Sequence, residues 1–138
     1  MSRKMIFTAA LAALALVAAG CGDDKEDTTT EEAAATPQQA IAEIGAVRQG
    51  LAQGLAAYQA GDAQRADMVI GDAYLEHFEI VEGPLDEVDP ELNEELEELI
   101  STETRDAIKA GAPAKEVEAL VQEAQRGLDQ AEAALGKA

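Results

Sequence analysis

The sequence predicts an all-α protein, an antiparallel up-down four-helix bundle that follows a signal peptide and a disordered tether. Two observations lead to this fold class. Apolar residues recur every three or four positions over four stretches of about 20 residues, which is the period of an amphipathic helix. Glycine or proline, together with a helix-capping residue, separates each stretch from the next, and short turns between helices of similar length are typical of up-down bundles.

Composition limits the function before any motif is considered. The chain has 138 residues, with 10 Lys and Arg against 28 Asp and Glu, and its formal charge is -18. That charge argues strongly against a nucleic-acid partner, because phosphate binding needs a basic face. A single cysteine and a single histidine argue against a closed zinc site or a Cys–His nucleophile. No pair of carboxylates is marked as a general acid and base, so we predict that the chain is not an enzyme.

The first twenty residues have the pattern of a bacterial lipoprotein signal. Arg3 and Lys4 precede an uncharged apolar run over residues 6–19, and Ala-Ala-Gly leads directly to Cys21. The sequence therefore predicts a signal peptide over residues 1–20 and an acylated, palmitate-carrying Cys21 as the mature N-terminus. The alternative is an ordinary secretory signal in which the cysteine stands by chance.

The segment that follows the cysteine predicts a lipid-anchored, acidic and disordered tether over residues 21–36, since it contains no large apolar side chain after Cys21. The folded domain over residues 37–138 is then extracytoplasmic, held on the bacterial cell membrane or facing the periplasm. Gly22 after the cysteine leaves the choice of membrane open.

Caps and breakers predict helices over residues 37–60, 63–82, 90–110 and 113–135. The expected N-caps are Thr36, Asp62 and Asp89, and the expected stops are Gly61, Gly83-Pro84 and Gly111. Residues 85–88 are expected to form a connector. The predicted apolar stripe of the second helix contains Ala66, Val69, Ile70, Ala73, His77, Ile80 and Val81. That of the third contains Leu92, Leu96, Leu99, Ile100, Glu103 and Ala107.

Two polar residues interrupt these stripes. At 100° per residue, His77 and Glu103 lie near the centres of the second and third stripes, where a polar group needs a partner. In an even bundle Glu103 lies one turn from Tyr58, which predicts a Tyr58–Glu103 hydrogen bond as buried polar support. For His77, at the height of Val47, two interpretations stay open: a core or edge histidine, and a metal ligand.

A strongly acidic lobe is predicted where the second and third helices meet. Residues 66–104 contain fourteen carboxylates and no Lys or Arg. Such oxygen-rich surfaces attract hard cations. Helical spacing would allow Asp72, Glu76 and Glu79, or Glu79 and Glu82, to share an ion. The alternative is a solvated face that keeps the protein soluble.

The order of landmarks along the helices resembles the extracytoplasmic helical domain fused ahead of the membrane part in many bacterial high-affinity iron permeases. The resemblance covers about residues 40–136 of this chain. The matching residues are Tyr58, Gly61 and Asp62, the segment Ala-Tyr-Leu-Glu-His-Phe-Glu-Ile-Val-Glu over residues 73–82, and then Arg105, Gly111 and Val117.

The resemblance implies a role in iron uptake outside the membrane, with Fe²⁺ or Fe³⁺ as the cation and Glu79 and Glu82 as the matching acidic positions. With the neighbouring donors, the candidate metal residues are Glu79, Glu82, His77, Glu76 and Asp72. The permease motif Arg-Glu-Gly-Leu-Glu is absent, so the expected role is a detached, lipid-anchored domain that binds iron or assists a permease. The alternative is a structural or protein-docking lipoprotein with an acidic solvated surface and no specific metal site.

Overall fold

The computed structural model describes residues 34–138, and over this range the chain is all-helical, with four helices and no strand. We number them α1 (Pro37–Gln59), α2 (residues 63–88), α3 (residues 90–110) and α4 (Ala114–Leu135). Two helices contain a π-helical segment. These segments are Tyr74–Phe78, between Ala63–Ala73 and Glu79–Val88, and Glu98–Glu103, between Pro90–Glu97 and Thr104–Ala110. The predicted signal peptide, the predicted lipidation site Cys21 and most of the predicted tether lie outside the described residues.

The predicted helix starts are confirmed where a cap has a hydrogen-bonding side chain. Thr36 and Gln39 form a capping box, in which the Thr36 hydroxyl accepts from the Gln39 amide and the Gln39 side chain accepts from the Thr36 amide. The carboxylates of Asp62 and Asp89 accept from the amides of Arg65 and Leu92. These bonds satisfy amide groups that have no partner inside the helix.

Two glycines turn the chain with positive φ angles that other residues rarely adopt. Gly61 has φ of 88° after α1, and Gly111 has φ of 70° after α3. Both positions were expected as helix stops, and the structure confirms them.

The core is formed by the inner faces of all four helices. Its fully buried large side chains are Ile44, Val47 and Leu51 from α1, Ile70, Phe78, Val81 and Leu85 from α2, Leu96, Ile100 and Ile108 from α3, and Leu128 and Leu135 from α4.

The π-helical segment of α2 changes the predicted stripe beyond Ala73, where Val81 is buried as predicted but His77 and Ile80 are not. A π turn contains one residue more than an α turn, so side chains after it are rotated relative to an ideal helix. As a result Phe78 is fully buried, whereas Ile80 is 37% exposed. The prediction that His77 lies at the centre of the stripe is likewise wrong, since its side chain lies at the border between the buried and the exposed faces of α2 and is 35% exposed.

The π-helical segment of α3 has the same consequence. Thr104 is fully buried and its hydroxyl donates to the Leu99 carbonyl, five residues earlier, at 2.7 Å. Thr104 and Ile108 therefore take the inward places that the sequence assigned to Glu103 and Ala107. Glu103 is exposed, so its predicted position at the stripe centre is wrong.

The second helix does not end at Gly83-Pro84, and the predicted connector over residues 85–88 is helical instead. Pro84 and Leu85 are buried, and with Val81 they continue the inward stripe at helical spacing. Burial of these apolar side chains offsets the backbone hydrogen bond that proline cannot donate. The helix ends at Asp89, where φ is -155° and the same residue caps α3.

Charged pairs join helices that are distant in sequence. Arg48 of α1 contacts Asp129 at 2.6 Å and Glu132 at 2.7 Å, both on α4. Partial burial opposes the charge of Arg48, but these two carboxylates raise its pKa above the ordinary value. Arg105 of α3 donates to Asp67 of α2 at 2.7 Å.

Candidate functional site

The acidic lobe contains one cluster of oxygen donors around a tyrosine. The Tyr74 hydroxyl donates to the Glu82 carboxylate at 2.8 Å, across two turns of α2. The Tyr74 ring stacks on Phe78 with ring centroids 5.8 Å apart, and Phe78 is anchored in the core. The π-helical segment thus holds the phenol in place beside the carboxylate.

Two further carboxylates, Glu79 and Glu97, influence the pair through their charges. Burial raises the pKa of Glu82, the hydrogen bond from Tyr74 lowers it, and the charges of Glu97 and Glu79 raise it again, with a net upward shift. Burial, the bond to Glu82 and the charges of Glu97 and Glu79 also raise the pKa of Tyr74. Glu97 belongs to α3, so the cluster joins two helices. We call Tyr74, Glu79, Glu82 and Glu97 the tyrosine–carboxylate cluster.

His77 belongs to a different face of α2. Its Nδ1 donates to the carboxylate of Glu43 on α1 at 2.7 Å, with both side chains about one third exposed. With Asp72 and Glu76, His77 lines a shallow depression against α1 whose other wall includes Gln49 and Gln53. The histidine is therefore an edge residue with a carboxylate partner.

The structure does not bring the five predicted metal residues together. Glu79 and Glu82 lie in the tyrosine–carboxylate cluster, whereas Asp72, Glu76 and His77 line the depression against α1. Within residues 34–138, no three His, Cys, Asp or Glu side chains are grouped closely enough to hold a metal ion. If Glu79 and Glu82 shared a cation with the rest of the tyrosine–carboxylate cluster, the side chains of the cluster would have to move closer together.

The predicted hydrogen bond between Tyr58 and Glu103 is wrong. The Tyr58 hydroxyl donates to the Ala112 carbonyl at 2.5 Å, which ties α1 to the turn before α4. Glu103 instead lines the rim of a groove between α3 and α4, near Glu123 and Arg126. The π-helical segment that rotates Glu103 out of the stripe accounts for the difference.

That groove is a second concave feature, of about 420 Å³. Its floor includes Leu96, which packs closely on Gly127 of α4, since a Cβ added to this glycine would lie 2.6 Å from the Leu96 Cδ2. Charged side chains at the rim carry both signs, and the structure shows no hydrogen bond among them.

Three residues that the structure brings to these sites were missed by the sequence analysis. Glu43 contacts His77, and Tyr74 and Glu97 contact or lie near Glu82. Tyr74 is separated from Glu82 by eight residues, a spacing that does not mark a contact in an ideal helix. Glu43 and Glu97 belong to other helices, so only the packing of the helices reveals them.

Glu82 is expected to lower stability at neutral pH. Its pKa in the folded chain is raised from the ordinary value of 4.5, so the fold favours the neutral carboxyl. Below that ordinary value, Glu82 is protonated in both the folded and the unfolded chain, so it has no pH-dependent effect on stability. As the pH rises from that value to the folded-state pKa, the unfolded chain loses its proton more readily than the folded chain, and the free energy of unfolding falls. We therefore expect Glu82→Gln to have a higher Tm than the native chain at pH 7 and an unchanged Tm near pH 4.

Thermal unfolding followed by circular dichroism at both pH values measures this difference. Glu87→Gln, at an exposed position of the same helix, is the control for loss of one charge. A lower Tm of Glu82→Gln than of Glu87→Gln at pH 7 would contradict the prediction.

Among the described residues, no helix combines the length and the apolar character needed to cross a membrane. Comparison with protein-family models, with curated proteins and with solved structures finds no match for this chain.

Proposed function

We propose that this chain is a lipid-anchored extracytoplasmic four-helix bundle that binds iron and assists an iron permease in uptake. The signal pattern that ends at Cys21 supports the lipid anchor and the location. The resemblance over residues 73–82 supports the link to iron. The tyrosine–carboxylate cluster is the single structural observation that carries the proposal, because phenol and carboxylate oxygens are hard donors suited to Fe³⁺.

The proposed topology of the domain is an antiparallel up-down bundle. Contacts between consecutive helices support it: Gly54 of α1 faces Ile70 of α2, Asp67 of α2 pairs with Arg105 of α3, and Leu96 of α3 packs on Gly127 of α4. In each pair, one residue lies in the first half of its helix and the other lies in the second half of its own helix, as expected when neighbouring helices run in opposite directions. This arrangement places Glu82 and Glu97 on adjacent helices near the turn that joins them.

The proposed iron site assembles on binding. Tyr74 and Glu82 already form a hydrogen bond, and Glu79 and Glu97 are close enough to influence both pKa values. A ferric ion would replace the proton that the phenol donates to Glu82, and the two nearby carboxylates would complete its oxygen ligands. Because the pKa values of Tyr74 and Glu82 are raised, iron binding would release protons and would strengthen as the pH rises.

The double variant Glu79→Gln/Glu82→Gln is expected to bind Fe³⁺ at least about tenfold more weakly, since it removes two anionic ligands and keeps the side-chain shapes. The measurement is calorimetric titration with Fe³⁺ as a weak chelate, and with Fe²⁺ under anaerobic conditions, at 0.15 M salt. Mg²⁺ and Ca²⁺ are titrated in parallel. The matched control is Glu91→Gln/Glu94→Gln, which removes the same charge from exposed positions of the acidic lobe.

Tyr74 supplies an independent spectroscopic test. A ferric phenolate absorbs visible light, so the iron complex is expected to be coloured and Tyr74→Phe is expected to lose the band. Equal iron affinity of the two double variants, together with no visible band in the native chain, would overturn the assignment of the site.

The second candidate function is a docking lipoprotein whose carboxylates are a solvated face. It is favoured by the many exposed carboxylates of α2 and α3, among them Asp72, Glu76, Glu91 and Glu94. This candidate predicts weak, salt-screened binding that is equal for all the cations in the titration.

A further inference from the structure

The outward face of α2 exposes two large apolar side chains. Met68 is 58% exposed and Leu75 is 57% exposed. They are seven residues apart, so they lie on the same side of the helix, about 10 Å from each other along its axis. Asp72, Glu76 and Glu79 lie beside them and are also exposed. We call these five residues the Met68–Leu75 face.

Other residues of α2 occupy the faces of the helix that pack against α1 and α3. Ala66 and Ile70 fill the inward face, next to the glycines of α1. Asp67 and Gly71 face α3, where the Arg105 guanidinium lies against both. Contact with another protein would remove both apolar side chains of the Met68–Leu75 face from water, which favours association at this face.

The acidic residues around the apolar pair favour a partner protein with cationic side chains. None of Asp72, Glu76 and Glu79 pairs with a Lys or Arg within the part of the chain that the structure describes. Residues 66–104 contain no Lys or Arg at all. Arg65 lines a shallow depression together with Met68, at the start of the face. Cationic side chains of a partner would therefore lie toward Asp72, Glu76 and Glu79, whose charges are complementary to them.

We propose that the Met68–Leu75 face docks a basic amphipathic helix of a partner protein. Apolar side chains of that helix pack on Met68 and Leu75, and its Lys or Arg side chains lie beside Asp72, Glu76 and Glu79. The two apolar anchors, two turns apart, match the spacing of residues i and i+7 on a docked helix. A second copy of this chain is disfavoured as the occupant, because each copy has a formal charge of -18.

This proposal deepens the docking candidate and does not depend on iron binding. The face shares only Glu79 with the tyrosine–carboxylate cluster, and the test below leaves Glu79 unchanged. A chelator in every sample removes iron from the measurement, so failure of the iron proposal and failure of the docking proposal give different results.

The test uses the full chain in nanodiscs of phosphatidylcholine, with empty nanodiscs as the blank. The probe is a fluorescently labelled synthetic helix of 18 residues, built from Leu, Lys and Ala with the leucines on one face, whose binding is followed by anisotropy. Two control peptides carry the same composition in scrambled order or glutamate in place of lysine. We expect saturable binding of the amphipathic basic peptide and at least about tenfold weaker binding of both controls.

Two variants of the chain separate the apolar contribution from the charge contribution. Met68→Ser/Leu75→Ser is expected to weaken peptide binding about tenfold, whereas Val88→Ser, at an exposed apolar position outside the face, leaves it unchanged. Asp72→Asn/Glu76→Gln is expected to weaken binding and reduce its dependence on salt. The matched charge control Glu116→Gln/Glu123→Gln on α4 is expected to bind as the native chain does.

Three results would overturn the proposal. One is equal binding of the amphipathic and scrambled peptides, which would indicate attraction by net charge alone. The second is unchanged binding of Met68→Ser/Leu75→Ser, which would place the peptide elsewhere. The third is self-association of the chain without peptide that Met68→Ser/Leu75→Ser abolishes, which would make a second copy the occupant.

Discussion

Replacing Phe78 by alanine is expected to lower the free energy of unfolding by about 3–5 kcal/mol. The Phe78 side chain is fully buried, and the Tyr74 ring stacks on it. Its removal leaves a cavity between the helices, and a domain of this size has only about 5–15 kcal/mol of stability in total. Urea unfolding followed by circular dichroism measures the loss.

The matched control is Ile80→Ala, two residues further along α2. Ile80 is 37% exposed, so its truncation is expected to cost less than about 1 kcal/mol. For an ideal α-helix the larger loss of stability would be expected for Ile80→Ala, because such a helix places Ile80 in the inward stripe and Phe78 outside it. A larger loss in Ile80→Ala than in Phe78→Ala would therefore contradict the π-helical segment Tyr74–Phe78.

Substitution of Gly50 by alanine is the second large effect that we expect. A Cβ added to Gly50 would overlap the Cβ of Ala73, so α1 and α2 lie close together at this point. The Ala73 Cβ is fixed to the backbone of α2, so relief requires the two helices to separate. We expect a net loss of about 1–3 kcal/mol in the free energy of unfolding, despite the better helix propensity of alanine.

Gly45 provides the matched control on the same helix. A Cβ at this position has no neighbouring atom within 4 Å. Gly45→Ala is therefore expected to stabilise the domain by about 0.5–1 kcal/mol, through helix propensity alone. Parallel urea titrations of the two variants measure the difference, and a stabilising Gly50→Ala would contradict the close approach of α1 and α2.

The parts of the fold that could be predicted from the sequence are those that depend on local chemistry. Thr36, Asp62 and Asp89 cap helices because their side chains reach the amides of the next turn. Gly61 and Gly111 end helices because they adopt positive φ. Each of these signals involves residues within a few positions of one another, so no knowledge of the packing is needed.

The parts that could not be predicted depend on contacts between helices. Pro84 ends a helix by local rules, yet its burial with Leu85 lets α2 continue to Val88. The candidate site shows the same limit. Glu79 and Glu82 were identified along the sequence, but Glu97, whose charge acts on Glu82, and Glu43, which bonds to His77, come from other helices.

The two π-helical segments also have a consequence for how relatives of this chain should be compared with it. A π turn is an α turn with one residue inserted. A relative that lacks this residue would keep both flanking halves of the helix and differ by a single deletion within residues 74–78 or 98–103. Alignments should therefore allow a one-residue gap at each position, since an ungapped alignment would match Phe78 and Thr104 to outward positions of the relative.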